Sequence, residues 1–305
     1  IPLTGVRLLS PIVRSGARNP VVATDAEKAE FAACLINAGA ITEGLQVLGA
    51  TNPAQAPEAL LFHAFALMSQ WNYANAIPLL RRYARANLEP YARLVGLTNL
   101  AAALVHERHA VEAREQLREL REEAALGGHG FLLTQTLKFM AENEIHAGDL
   151  ERAHALLKEA ITLMQEKSGR PDLLYFDKWS AVIELTQGDR AAAAEKFNQV
   201  RARAQEARQW ETARDCDYYV ARGTRDPAIA LRLLFGTPFP HYRRRFVSEC
   251  PWVEEYSLDT YEWQVPSGAS GGARIRGKPL CLDLEDGTLA ERDTILKPGQ
   301  AQHRL

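Results

Sequence analysis

Through most of the chain, apolar and small residues return at helical spacing around a tight turn, and the same arrangement recurs. Gly148-Asp149-Leu150 and Gly188-Asp189-Arg190 mark two such turns forty positions apart. Counted from the turn residue, the place seven before it reads Ala32, Ala64, Ala101, Ala141 and Ala181. The place three before it reads Ile36, Met68, Val105, Ile145 and Leu185. Beyond the turn, the second place reads Ile41, Tyr73, Ala110, Leu150 and Arg190. The fifth reads Gly44, Ala76, Ala113, Ala153 and Ala193, and the ninth Leu48, Leu80, Leu117, Leu157 and Phe197. These offsets place residues on one face of a helix, so each copy predicts two helices that touch through their small side chains. A single pair cannot bury its apolar side alone, and stacked neighbours supply the rest.

The ends of the array are less regular. Cys216 and Val220 before Gly223, with Ala230 and Leu234 after Asp226-Pro227, predict a degenerate sixth copy. Gly236-Thr237-Pro238-Phe239-Pro240 then breaks the helix. Residues 1–25 carry Pro2, Pro11, Gly16 and Pro20 and predict an extended leader with at most one short helical turn. Thr24-Asp25, followed by Glu27 and Glu30, predicts a helix start.

The columns resemble the tetratricopeptide repeat family over residues 26–240. That family has a small residue late in the first helix, a turn, a small residue, a large one four later, and often proline near the exit, held here by Pro53 and Pro90. The resemblance implies an all-α fold: a right-handed α-solenoid of about six helical hairpins, here with a small C-terminal β-hairpin. It also implies a protein or peptide partner held along the first helices. This chain departs from the family in its long spacings, 32, 37, 40 and 40 residues against about 34. Gly44 also stands in the small column, and the first-helix Gly-Tyr signature is largely missing. A looser helical solenoid is the alternative.

By family register the groove residues include Phe65, His106, Lys138, Glu142, His146, Tyr175 and Lys178, within a wider set of Glu58, Leu61, Thr98, Ala102, Gln135 and Val182. Lys138 and Lys178 share a column, which reads either as a clasp for an acidic partner or as two solvated lysines. Members that grip a terminal carboxylate carry asparagine where this chain has Ala102, Glu142 and Val182, so that clamp is not supported. His106 and His146 share another column near Glu142, but a third zinc ligand is unassigned and no metal is expected.

Composition narrows the function classes. A formal charge of −2 over 305 residues argues against a generally nucleic-acid-coating or membrane-coating surface. No apolar run approaches the roughly 18 residues of a membrane span, and no signal-peptide layout opens the chain. A cytoplasmic protein without membrane contact is expected. Four scattered cysteines form no C-x-x-C pair. There is no G-x-S-x-G, phosphate-binding glycine loop or H-E-x-x-H, so neither an enzyme nor a cofactor is expected. The start at Ile1 suggests a piece of a longer chain or a processed one.

The remaining sequence changes character. Residues 241–272 read as a connector, opening on the basic run Arg243-Arg244-Arg245. An acidic aromatic stretch with Glu254, Glu255, Asp259 and Glu262 follows, and then a Gly/Ser linker. The arginines suit phosphates or, equally, the acids just downstream. In residues 273–305 the period becomes two, with Leu280, Leu282 and Leu284, a turn at Asp286-Gly287 and a returning strand to Leu296, which predicts a β-hairpin. Leu282, Asp283, Leu284, Gly287, Leu296, Pro298 and Leu305 resemble the opening of the winged-helix domain of response-regulator-type bacterial transcription factors. That resemblance implies DNA contact only through a domain beyond residue 305. The expected function is a partner-binding module that controls an attached DNA-binding domain. The alternative is a scaffold whose tail caps the array.

Overall fold

In the computed structural model of the chain, the five turn residues that set the register all take left-handed backbone angles. Their φ values are 90° at Gly39, 61° at Trp71, 63° at Arg108, 85° at Gly148 and 99° at Gly188. At each of them the next amide donates to the carbonyl five residues back: Ala40 to Leu35, Asn72 to Leu67, His109 to Leu104, Asp149 to Glu144 and Asp189 to Glu184. This closure satisfies the orphan carbonyls of the ending helix. The following helix begins at once, with Asp149 and Asp189 accepting from the amides of Arg152 and Ala192.

The structure describes residues 2–14, 22–168, 173–207, 209–237 and 239–256, and the backbone of five short strands between 263 and 296. Through residue 256 the described chain is helical. Its elements are α1 (Pro2–Val13), α2 (Asp25–Asn37), α3 (Ile41–Gly49), α4 (Glu58–Ser69), α5 (Tyr73–Ala84), α6 (Pro90–His106) and α7 (Ala110–Leu126). They continue as α8 (Gly130–Ala147), α9 (Leu150–Ser168), α10 (Leu174–Gln187), α11 (Arg190–Glu206), α12 (Trp210–Thr224), α13 (Pro227–Gly236) and α14 (Pro240–Glu249). A 3-10 helix spans Pro251–Tyr256. The strands Trp263–Gln264, Gly272–Ile275, Leu280–Asp283, Leu289–Glu291 and Thr294–Leu296 pair antiparallel in chain order. The acidic side chains from Glu254 to Glu262, the turn at Asp286-Gly287 and the helix start at Pro298 lie outside the described residues.

Two compact units divide the chain, residues 1–212 and 213–305. In the first, each helix packs on the next, and α2 on α4, α6 on α8 and α8 on α10 also meet as first helices of successive pairs. All five column alanines, Ala32, Ala64, Ala101, Ala141 and Ala181, are 0% exposed, as are Ala76, Ala113, Ala153 and Ala193 across the hairpin. Gly44 keeps that column for a physical reason: a Cβ there would stand 2.6 Å from Cγ1 of Ile36 and 3.1 Å from the Ala32 carbonyl oxygen. Outside this apolar seam, Arg81–Glu112 (2.6 Å) and Arg121–Glu159 (2.8 Å) join successive second helices. Each of these exposed pairs contributes only about 0.2–1 kcal/mol.

The left-handed turns yield a direct prediction. Nothing lies within 4 Å of a Cβ added at Gly148 or Gly188, so alanine there meets the backbone penalty alone. Gly148→Ala and Gly188→Ala are each expected to lower unfolding free energy in urea by about 1–2 kcal/mol. Gly49→Ala, also in open space but at the end of a helix with no positive φ, is expected to cost nothing.

Several expectations need correction. The strand expected to return as far as Leu296 is instead two short strands, Leu289–Glu291 and Thr294–Leu296, paired with each other. The leader is not extended, because residues 2–13 form α1, whose Val6, Leu9 and Ile12 recur at helical spacing and are half-buried as the helix packs on α2. Pro11 removes one donor without ending the helix. The predicted helix start at Thr24 is present, with a reciprocal cap between Thr24 and Glu27. In the sixth copy the turn residue is Arg225 (φ 56°), not Gly223, which lies inside α12. From Arg225 the fifth and ninth places are Ala230 and Leu234, in the same register as every earlier copy. The place seven before it holds Tyr218 instead of alanine. Its ring meets Tyr242 at 6.0 Å and Phe246 at 5.3 Å, both on α14.

Candidate functional site

Glu142, in the middle of α8, is 1% exposed, and both of its oxygens are engaged by neighbouring first helices. Nδ1 of His106, at the end of α6, lies 3.1 Å from Oε1. The Tyr175 hydroxyl, on the first turn of α10, donates to Oε2 at 3.2 Å. A carboxylate buried this deeply needs such donors, because leaving it unpaired would cost several kcal/mol. One side chain thereby ties three successive pairs together through polar contacts.

Around this carboxylate the cationic and aromatic groups converge. Nζ of Lys138 stands 3.7 Å from the centre of the Tyr175 ring and donates a hydrogen bond to Gln135 Oε1 at 3.0 Å. Nζ of Lys178 lies 4.7 Å from the same ring and 5.1 Å from that of Trp179. Both ammonium groups therefore face one π-system, an attraction of about 0.5–2 kcal/mol each depending on desolvation. His106 stacks on Tyr73 with centroids 4.3 Å apart and planes 21° apart. His146 meets Trp179 edge-on at 6.3 Å.

Of the seven residues expected from the register, His106, Lys138, Glu142, His146, Tyr175 and Lys178 fall into this one cluster. Among the described residues Phe65 makes no ring contact with it; its ring lies 6.5 Å from Phe62 within α4. Leu61, Thr98, Ala102 and Val182 are buried, as are Glu142 and Lys178 of the cluster itself, and Thr98 turns its hydroxyl back to the Leu94 carbonyl. Tyr73 and Trp179 belong to the cluster without having been singled out. A signal for Trp179 exists: the place nine before the turn reads Glu30, Phe62, Asn99, Phe139 and Trp179, aromatic in three of five copies.

The other candidates are placed differently. The histidines are occupied by Glu142, Tyr73 and Trp179, and among the described residues no three His, Cys, Asp or Glu side chains gather as metal ligands. Arg243, Arg244 and Arg245, expected to open a connector, lie on α14. Arg245 pairs with Glu249 at 3.0 Å, Arg244 is exposed, and Arg243 is half-buried. Glu249 also receives Arg222 at 3.2 Å and the Tyr218 hydroxyl at 2.6 Å. No described helix is long and apolar enough to cross a membrane. No protein-family model and no curated protein matches this chain.

Proposed function

We propose that the chain is an interaction module, not an enzyme. On this reading it is a tetratricopeptide-like solenoid, cytoplasmic and free of cofactors, whose first helices hold an acidic segment of a protein or peptide partner. The observation that carries the reading is the meeting of Lys138 and Lys178, from successive pairs, on the single ring of Tyr175. Half-exposed Lys138 and Tyr175, on successive first helices and backed by the buried Lys178, suit an extended or helical acidic segment better than a small molecule.

The same proposal extends to regulation. The apolar and acidic alternation in the sequence at Leu282, Asp283 and Leu284 supports a β-hairpin that opens a winged-helix domain, so partner capture would be coupled to DNA binding in a bacterial transcription regulator. DNA contact on this reading belongs to that domain, beyond residue 305.

Charge reversal tests the partner surface. A fluorescein-labelled peptide rich in Asp, Glu and Trp is expected to bind saturably, and Lys138→Glu with Lys178→Glu to weaken it at least tenfold, or about 1.4 kcal/mol. Because Lys178 is 4% exposed, Lys138→Glu alone serves as the variant that keeps the fold. Unchanged affinity in both variants would remove the surface from consideration.

A further inference from the structure

Arg114 on α7 stands at the sixth place beyond its turn, and Glu144 on α8 at the fourth place before the next. The two meet through bonds of 2.9 and 3.2 Å, and Arg152, on α9, stands 3.8 Å from the same carboxylate. Beneath these arginines the Glu144 side chain is 3% exposed. At the two earlier joins both places hold apolar residues, Leu45 with Leu67 and Ile77 with Leu104.

The join that follows keeps the acid and loses both arginines. Glu184 stands where Glu144 does, but His154 takes the place of Arg114 and Ala192 that of Arg152. Among the described residues Glu184 pairs only with Lys196, through Oε1 at 2.6 Å, and its side chain is 32% exposed. A groove of about 490 Å³ opens there, its walls including Leu150, Glu151 and His154 of α9, Ile183 and Glu184 of α10, and Lys196 of α11. That volume lies within the range of small-molecule sites. Two carboxylates against one ammonium leave the walls with a negative surplus, and Leu150 with the buried Ile183 adds an apolar strip. A cation on an aliphatic stem matches both. The preceding join shows which cation suits this acid, since there a guanidinium takes both carboxylate oxygens.

We infer that this groove binds a guanidinium group carried on a short aliphatic chain, seated by Glu184 and Glu151 where the preceding join seats its own arginine. The site is independent of the reading of Lys138 and Tyr175 as a partner surface.

Calorimetric titration of the whole chain tests it with two carriers, butylguanidinium and a blocked Gly-Arg-Gly peptide, and with butylammonium at equal ionic strength as the control. Butylguanidinium is expected to bind saturably and at least tenfold more tightly than butylammonium, which carries the charge without the fork. Peptide binding weaker than that of butylguanidinium assigns the group to a free small molecule; equal or tighter binding assigns it to an arginine of a protein. Glu184→Gln is expected to weaken butylguanidinium about tenfold. His154→Arg restores the arginine of the preceding join, so it is expected to fill the groove and abolish binding while the helical circular dichroism stays unchanged. Glu151→Gln, at an exposed position, is expected to weaken binding too and keeps the test open if another variant fails to fold. Absence of saturable binding to the wild-type chain would overturn the site. So would butylammonium binding as tightly as butylguanidinium, or full binding by His154→Arg.

Discussion

Replacing Glu249 with glutamine is expected to destabilise the second unit by about 3 kcal/mol at pH 6, and by less than half of that at pH 3. Burial pushes the Glu249 carboxyl up, but the Tyr218 hydroxyl and the guanidinium groups of Arg245 and Arg222 outweigh it and hold it down at about 2, against 4.5 for a free glutamate. A carboxyl with a depressed folded value contributes its full stability above the unfolded value. That contribution drains away as pH falls from 4.5 toward 2. The difference between wild type and Glu249→Gln in urea unfolding, measured at both pH values, isolates this group from other carboxylates. A difference that stays constant with pH would show that the ion network contributes little.

Ala153→Leu is expected to cost about 2–3 kcal/mol, the upper part of the range for forcing extra carbons into a packed interior. Ala153 is 0% exposed and stands in the same column as Ala76, Ala113 and Ala193, where the two helices of a pair approach closest. The same change at Ala113 or Ala193 should cost a similar amount, because the environment is repeated. Ala125→Leu, on the exposed side of α7, should stay within about 0.5 kcal/mol of wild type. Equal effects at Ala125 and Ala153 would mean that the small column does not define the contact.

Much of the helical body was legible because its columns are independent of length. The spacing between copies varies from 32 to 40 residues, yet the offsets around each turn do not, since they follow from one closure geometry. Trp71 and Arg108 show how far this holds: neither favours a left-handed backbone, yet each adopts it where its siblings are glycine. The leader was misread because Pro2, Pro11 and Gly16 drew attention away from a stripe of half-buried residues that only α2 makes meaningful. The sixth turn was misread because Gly223 looked like a turn residue, while the register from Ala230 and Leu234 pointed to Arg225.

The site was only half legible. Register alone brought Lys138, Glu142, Tyr175 and Lys178 to one face, because equivalent positions on stacked helices are neighbours. It could not show that Glu142 and Lys178 lie buried, nor that His106 reaches across from the preceding pair. Those facts depend on side-chain direction between helices, which no offset within one helix records.

The most direct test of the partner surface is hydrogen exchange of the whole chain with and without the saturating acidic peptide. Slowed exchange is predicted in α6, α8 and α10, centred on the turns that carry His106, Glu142 and Tyr175, with α7, α9 and α11 unchanged. Protection confined to α7, α9 and α11 would contradict the account, because it would place the partner on the second helices.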